Sequence, residues 1–335
     1  MTIERFGSID GNDVLAATLT GPDGITLRVL TWGAVVHDFV VPSAQGPQRV
    51  VLGLNSIDDY VAHSPYFGAI VGRYANRIGN ARFTLDGETF RLDANEGRNQ
   101  LHGGSRGFGT RLWTIIDQQP SVLTLALVSA DGDMGYPGRL VATCTYSLTR
   151  PSTVEIALEA SCDRPTPVNL TTHGYYNLDG SPDISSHHLM IRADYITPTA
   201  PDLIPTGEIR SVANTAYDFR RLRPIAAEPA QARTLYDINY VLEGDDGELA
   251  HAATLASRKS GLSMELWTTE PGVQFYDGHL LDIPVPGLGG APYRPHAGLC
   301  LEPQRFPDGP NKAHFPACIL EPGAVSRQIS ELRFA

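Results

Sequence analysis

Apolar and polar positions alternate in short runs along most of this chain. Leu140–Thr149 and Thr153–Ala160 place an apolar side chain at nearly every second position, the signature of a strand with one buried face. Similar or β-branched runs predict strands at Ile25–Leu30, Val35–Val41, Trp113–Asp117, Ser121–Ser129, His188–Ala193, Leu262–Thr268, Gly298–Leu301 and Ser326–Phe334. Ala81–Leu85 and Glu88–Leu92 flank Asp86-Gly87, a pair that accepts the positive φ angles of a two-residue hairpin turn. With 33 glycines and 25 prolines, long helices have little room, and the best helix prediction is a short one near Ser64–Gly72. Many strands without alternating helices point to a β-sandwich or barrel. No linker, repeat or break in composition divides the chain, so one domain over residues 1–335 is expected. The Pro/Gly-rich stretch Ile283–Pro292 reads as a long loop at the rim of a cleft.

Composition narrows the partners. Lys and Arg number 26 against 37 Asp and Glu, a formal charge of −11, so the summed field repels nucleic acid and anionic membranes. No window reaches the ~18 apolar residues of a membrane span. The N-terminus lacks a basic and apolar leader, which suggests a cytoplasmic protein. In that setting the Asn169 sequon is incidental. Cys144, Cys162, Cys300 and Cys318 are far apart, without metal-site spacing, and read as reduced thiols, with Cys144 and Cys300 in apolar strands as core residues.

Two residues carry the strongest chemical signal. Glu302 closes the apolar run Gly298–Leu301 and precedes Pro303, which places a carboxylate at the end of a buried strand where desolvation makes it a proton-transfer candidate. The bland alternative is a buried salt bridge to an arginine. His173 lies among donors and acceptors in Pro167–Asn177, either as an acid or as a hydrogen-bonded structural imidazole. Further polar clusters occur at Gly72–Ile78, Asn99–Gly104 and Thr269–Tyr276. Arg73 and Arg77 in the first are equally readable as solvated or salt-bridged. Other chemistries lack their parts: there is no Walker loop, no H-E-x-x-H and no G-x-G-x-x-G after a strand. Gly103–Gly107 matches a nucleophile elbow around Ser105, but Phe108–Trp113 leads into a strand where that motif needs a helix. The only lysines, Lys259 and Lys312, give no Schiff-base site, and His187 and His188 point to opposite faces of a strand.

Seven segments in order carry a resemblance: Gly72–Ile78, Leu101–Gly104, Asp131–Gly138, Val168–Leu178, Leu203–Glu208, Thr269–Tyr276 and Gly298–Gln304. Over nearly its whole length the chain resembles the aldose 1-epimerase (galactose mutarotase) family. The resemblance implies an all-β fold, a large antiparallel β-sandwich of the galactose mutarotase type with few short helices. It implies a cleft that binds a free monosaccharide and interconverts its α and β anomers, with Glu302 as base and His173 as acid. It further implies that Asn76, Arg77, His102, Tyr175, Asp237 and Gln274 contact sugar hydroxyls or the ring oxygen. Three positions depart from the family pattern: Gln100 and Ile238 stand where many members carry His, and Asp277 replaces a common Thr. These bear on which sugar fits. The reaction opens a cyclic hemiacetal and recloses it, so it needs a proton taken from the C1 hydroxyl and one delivered to the ring oxygen, and no cofactor or metal. An acid and a base on opposite edges of the C1–O5 bond suffice. Three alternatives remain at this stage. They are a glycoside hydrolase using Asp237 and Glu302, a non-catalytic carbohydrate-binding protein, and a sugar-phosphate epimerase with Arg220, Arg221 and Arg223 on the phosphate.

Overall fold

The period-two runs become the strands of two facing layers. The structure is a computed structural model that describes residues 1–226, 233–244 and 246–335. One layer is a nine-stranded antiparallel sheet, in the order Thr114–Gln119, Val122–Ser129, Leu140–Arg150, Thr153–Cys162, Ser326–Phe334, Ser263–Thr268, Ala250–Ala256, His188–Ile191 and Arg223–Pro224. The other layer combines two sheets. Thr2–Ile9, Asn12–Thr20, Thr26–Leu30, Val36–Val41 and Gln48–Arg49 form a five-stranded meander. Tyr175–Tyr176, Leu299–Gln304, Gly272–Tyr276, Asp237–Val241, Tyr195–Thr197 and Arg210–Ser211 form a six-stranded sheet. A Val51–Tyr176 bridge, flanked by Leu52 N–H to the Tyr175 carbonyl and Asn177 N–H to the Val50 carbonyl, joins the two edges.

The main core fills the space between the layers. Leu19, Leu27 and Phe39 come from the meander, Leu125, Cys144, Leu158 and Leu332 from the nine-stranded sheet, and Tyr240, Phe275 and Leu301 from the six-stranded one. Phe39 meets Phe334 edge-on across the layers, ring centroids 5.1 Å apart, a favoured aromatic geometry. The architecture is the all-β sandwich expected.

Every predicted strand exists, with ends shifted by at most three residues, and the hairpin forms with Asp86 and Gly87 at φ 51° and 80°. The helix is displaced. It spans Ile57–His63, and the predicted segment begins where it ends. Ser56 caps its start by accepting the Asp59 N–H at 3.1 Å, Asp58 and Asp59 fill the first turn, and Pro65 blocks continuation. Strands Thr2–Ile9, Asn12–Thr20, Asp237–Val241, Ala250–Ala256 and Gly272–Tyr276 escape the hydrophobic pattern. Thr2–Ile9 is mostly exposed, and two of the others turn polar side chains into a cleft.

Candidate active site

The six-stranded sheet has two buried faces. Leu299, Leu301, Val273, Phe275, Ile238 and Tyr240 enter the main core. Because successive side chains alternate, the intervening residues Cys300, Glu302, Gln274, Tyr276 and Asp237 emerge on the other face. Antiparallel register then brings them together: Glu302 lies opposite Gln274, Tyr276 opposite Cys300 and Asp237, and Tyr175 opposite Cys300. This face floors a cleft of about 290 Å³ lined by Tyr66, Asn76, Arg77, Glu96, His102, His173, Tyr175, Asp237, Tyr276, Glu302 and the Leu280–Ile283 rim. That volume sits at the small end of ligand pockets.

The remaining wall is built from irregular backbone. Thr171 and Thr172 pair with Val71 and Ile70, and the ladder continues through His173 N–H to the Ala69 carbonyl, which fixes the His173 main chain. Its imidazole is stacked between Tyr66 and Tyr175, with ring centroids 5.7 and 5.2 Å away. Asn76 and His102 both adopt left-handed backbone, φ 59° and 49°, and they lock together. His102 N–H donates to the Asn76 carbonyl at 2.9 Å, and Asn76 N–H donates to His102 Nδ1 at 3.1 Å. Strained backbone held in place this way is characteristic of binding sites. Since the Asn76 amide always donates, His102 Nδ1 carries no proton, and the neutral ring presents Nε2–H.

Glu302 and His173 are neighbours. Nε2 lies 3.7 Å from Oε2, both side chains are buried, and Glu302 Oε2 makes no hydrogen bond within the protein. Burial pushes the Glu302 carboxyl well above the usual range, nearby Asp237 pushes it further, and Arg77 opposes. Burial lowers His173 to about 4 and drives His102 well below the ordinary imidazole value, with His173 and Arg77 adding to the latter. Arg77 lies in a bidentate pair with Glu96, Nε–Oε2 2.6 Å and Nη2–Oε1 2.7 Å, and its Nη1 faces Asp237 at 3.9 Å. Gln274 Nε2 donates to Asp237 Oδ1 at 2.6 Å.

The sequence profile of the family described as aldose 1-epimerase matches residues 16–333. A galactose mutarotase from Bos taurus is 41% identical over 309 residues, covering 90% of this chain and 88% of its own. The aldose 1-epimerase of Escherichia coli K12 is 38% identical over 334 residues, 97% of this chain and 96% of its own. This chain belongs to the aldose 1-epimerase family. It is an isomerase acting on carbohydrates. Among solved structures, an aldose epimerase homologue from C. elegans superposes with a TM-score of 0.91 at 31% identity, covering 96% of this chain and 99% of that one. A galactose 1-epimerase from Lactobacillus acidophilus gives 0.84 at 25% identity, covering 100% and 98%.

Of the residues the aldose 1-epimerase resemblance named, Asn76, Arg77, His102, His173, Tyr175, Asp237 and Glu302 all line the cleft. Gln274 lies beneath it, buried, with its amide on Asp237. The Tyr175 hydroxyl donates to the Pro65 carbonyl at 3.2 Å, so this ring packs against His173 with its own proton occupied. One expectation needs correcting: at 3.7 Å the acid and base candidates, one from the floor and one from the wall, stand side by side, not across the cleft. Both oxygens they would serve are bonded to the same anomeric carbon, so adjacent groups reach them. Arg73 is no cleft residue. It is buried and donates to the Pro137 and Gly138 carbonyls and to Ser129 Oγ, tying down the Asp131–Gly138 segment. The sequence missed Tyr66, Glu96 and Tyr276. Only the Ile283 end of the Pro/Gly-rich loop reaches the cleft, while its Pro286 carbonyl and Leu288 N–H bond Asn55 and Gly53.

Ser105 sits in an exposed turn with its N–H on Asp93. The arginines assigned to phosphate lie elsewhere, in an open hollow of Asn214–Arg223. There Arg220 pairs with Asp218 and Asp194, and Arg223 stacks on Phe219 at 3.7 Å. Among the described residues one group has metal-ligand character: His102, His173 and Glu302, with ligand atoms within 4.8 Å of one another. Metal-bound imidazoles donate their second nitrogen's proton. His102 Nδ1 instead accepts one, which leaves Nε2 protonated and unable to ligate. No helix among the described residues is long and apolar enough to cross a membrane.

Proposed function

We propose that this cleft binds a free aldopyranose, galactose or glucose, with Glu302 as base and His173 as acid in anomer interconversion. The observation that carries this reading is the 3.7 Å contact between two buried, oppositely shifted groups in one monosaccharide-sized cleft. Burial disfavours charge on both, so together they hold one proton over a wide pH range. Protonated Glu302 beside neutral His173, and carboxylate beside imidazolium, differ only in where that proton sits. In the second form Glu302 removes the C1 hydroxyl proton, the C1–O5 bond breaks, C1 becomes the aldehyde, and His173 protonates O5. The pair's proton now rests on Glu302, the placement burial favours. Rotation about C1–C2 presents the other carbonyl face. His173 then takes the O5 proton, O5 attacks C1, and Glu302 returns its proton to the new hydroxyl, restoring the starting state.

The surrounding groups have distinct parts. Arg77 Nη1 and His102 Nε2–H are donors for ring or hydroxyl oxygens, worth most where water is excluded. Asp237, steadied by Gln274, accepts a hydrogen bond from a sugar hydroxyl. The tyrosines on either side of His173 keep its environment apolar. A hydrolase needs a second carboxylate as the partner of Glu302. Asp237 supplies a second carboxylate in the cleft, but the group in contact with Glu302 is the His173 imidazole, which favours mutarotation. Polarimetry of freshly dissolved α-D-galactose and α-D-glucose tests this. His173→Asn and Glu302→Gln each lower the catalysed rate by roughly 10²–10⁴ with unchanged circular dichroism. Near-normal rates from either variant reject the assignment.

A further inference from the structure

Arg77 does not reach the cleft as a free side chain. Its guanidinium is planar, with donors in a fixed fork, and a two-point contact fixes both its position and the rotation of its plane. Glu96 supplies that contact on the Nε–Nη2 edge, at 2.6 and 2.7 Å, so the Nη1 edge is the one presented to Asp237 and the cleft. Glu96 is itself held from outside the arginine's strand. Its N–H donates to the Asn99 carbonyl at 3.1 Å and its carbonyl accepts the Asn99 N–H at 2.9 Å, while Asn95 brackets the same turn by bonding both N–H and carbonyl of Leu101. Leu101 in turn pairs with Arg77. The turn therefore closes a loop of contacts whose output is the aim of one guanidinium.

We propose that Glu96 is a positioning residue of the reaction: it orients Arg77 toward the sugar and balances its charge. This rests on Arg77 being a substrate contact. The charge effect reaches the proton-carrying pair, because Arg77 is faced by Glu96, Asp237, Glu302, His102 and Tyr66, and Glu302 by Arg77, Asp237, His173, His102, Cys300, Tyr175 and Tyr176. Arg77 favours the Glu302 carboxylate, and a neutral residue at 96 leaves that pull uncompensated.

The test is Glu96→Gln, alone and with Arg77→Met. Glutamine keeps the shape but turns one amide N–H toward the guanidinium donors, so only one of the two bonds survives. KM for galactose is expected to rise about tenfold with a smaller change in kcat, and the alkaline limb of the kcat/KM profile to move to lower pH, at unchanged thermal stability. In the Arg77→Met background Glu96→Gln changes kcat/KM less than twofold, because its effect runs through the arginine. An unshifted profile and unchanged KM in Glu96→Gln, with Arg77→Met impaired, overturn the proposal, as does a full independent loss in the double variant. Normal kinetics in Arg77→Met alone instead remove the premise that Arg77 touches sugar.

Discussion

The roles proposed for His173 and Glu302 rest on what surrounds these side chains more than on what they are. Two tyrosine rings and the sheet beneath strip water from the imidazole, and the carboxyl sits inside the strand Leu299–Gln304, buried along its whole length, rather than at the strand end that Pro303 suggested. For the proposed pair the expected outcome is a bell-shaped kcat/KM. Below about 4 both groups hold protons and no base exists, so activity rises as pH climbs through the His173 value. Above the raised Glu302 value neither holds one and no acid exists, so activity falls. Initial polarimetric rates across pH read both limbs, and a flat profile takes proton transfer away from this pair. At this scale the burial of Glu302 was legible, because an apolar run ending in Glu-Pro signals a desolvated acid. The separate fates of Arg73 and Arg77 were not. Four residues apart in one motif, one is buried on carbonyls and the other enters the cleft, and that depends on which distant segment lies over each.

Elements act here by aiming side chains. The strand Leu299–Gln304 sends Leu301 to the core and Glu302 to the cleft, and a one-residue slip in its pairing with Gly272–Tyr276 would exchange them. The His102 turn depends on Gly103, which has φ 85° and approaches the Gly72 carbonyl so closely that a Cβ would collide with it. Gly103→Ala is expected to cost about 2–4 kcal/mol in chemical unfolding and, in molecules that still fold, to raise KM by displacing His102. An unchanged stability would show that the Gly72–Gly103 contact relaxes freely. Alternating strands and the Asp86-Gly87 hairpin were readable because one face of each is apolar or its turn is chemically specific. Asp237–Val241 and Gly272–Tyr276 were not, since their second face meets a cleft and the period-two contrast weakens where polar side chains are also buried.

Across the whole molecule, two layers share one core, and the cleft opens on the face of the six-stranded sheet turned away from it. Truncating the contact between layers should therefore weaken the fold without touching the chemistry. Phe39→Ala is expected to destabilise by about 3–5 kcal/mol, lowering the melting temperature while kcat and KM of the folded fraction stay as they were. A changed KM would mean that core packing sets cleft geometry. The residue pattern alone determined a β-rich sandwich or barrel and a net negative charge, and marked Glu302 and His173 as candidates, because periodicity, net charge and local desolvation are properties of neighbouring positions. Only the tertiary structure decided that the pair stands side by side, that His102 has a fixed tautomer, that Gln274 supports rather than lines the cleft, and that Glu96 grips Arg77. Those outcomes depend on contacts between segments far apart in the chain, set by antiparallel register and the packing of turns.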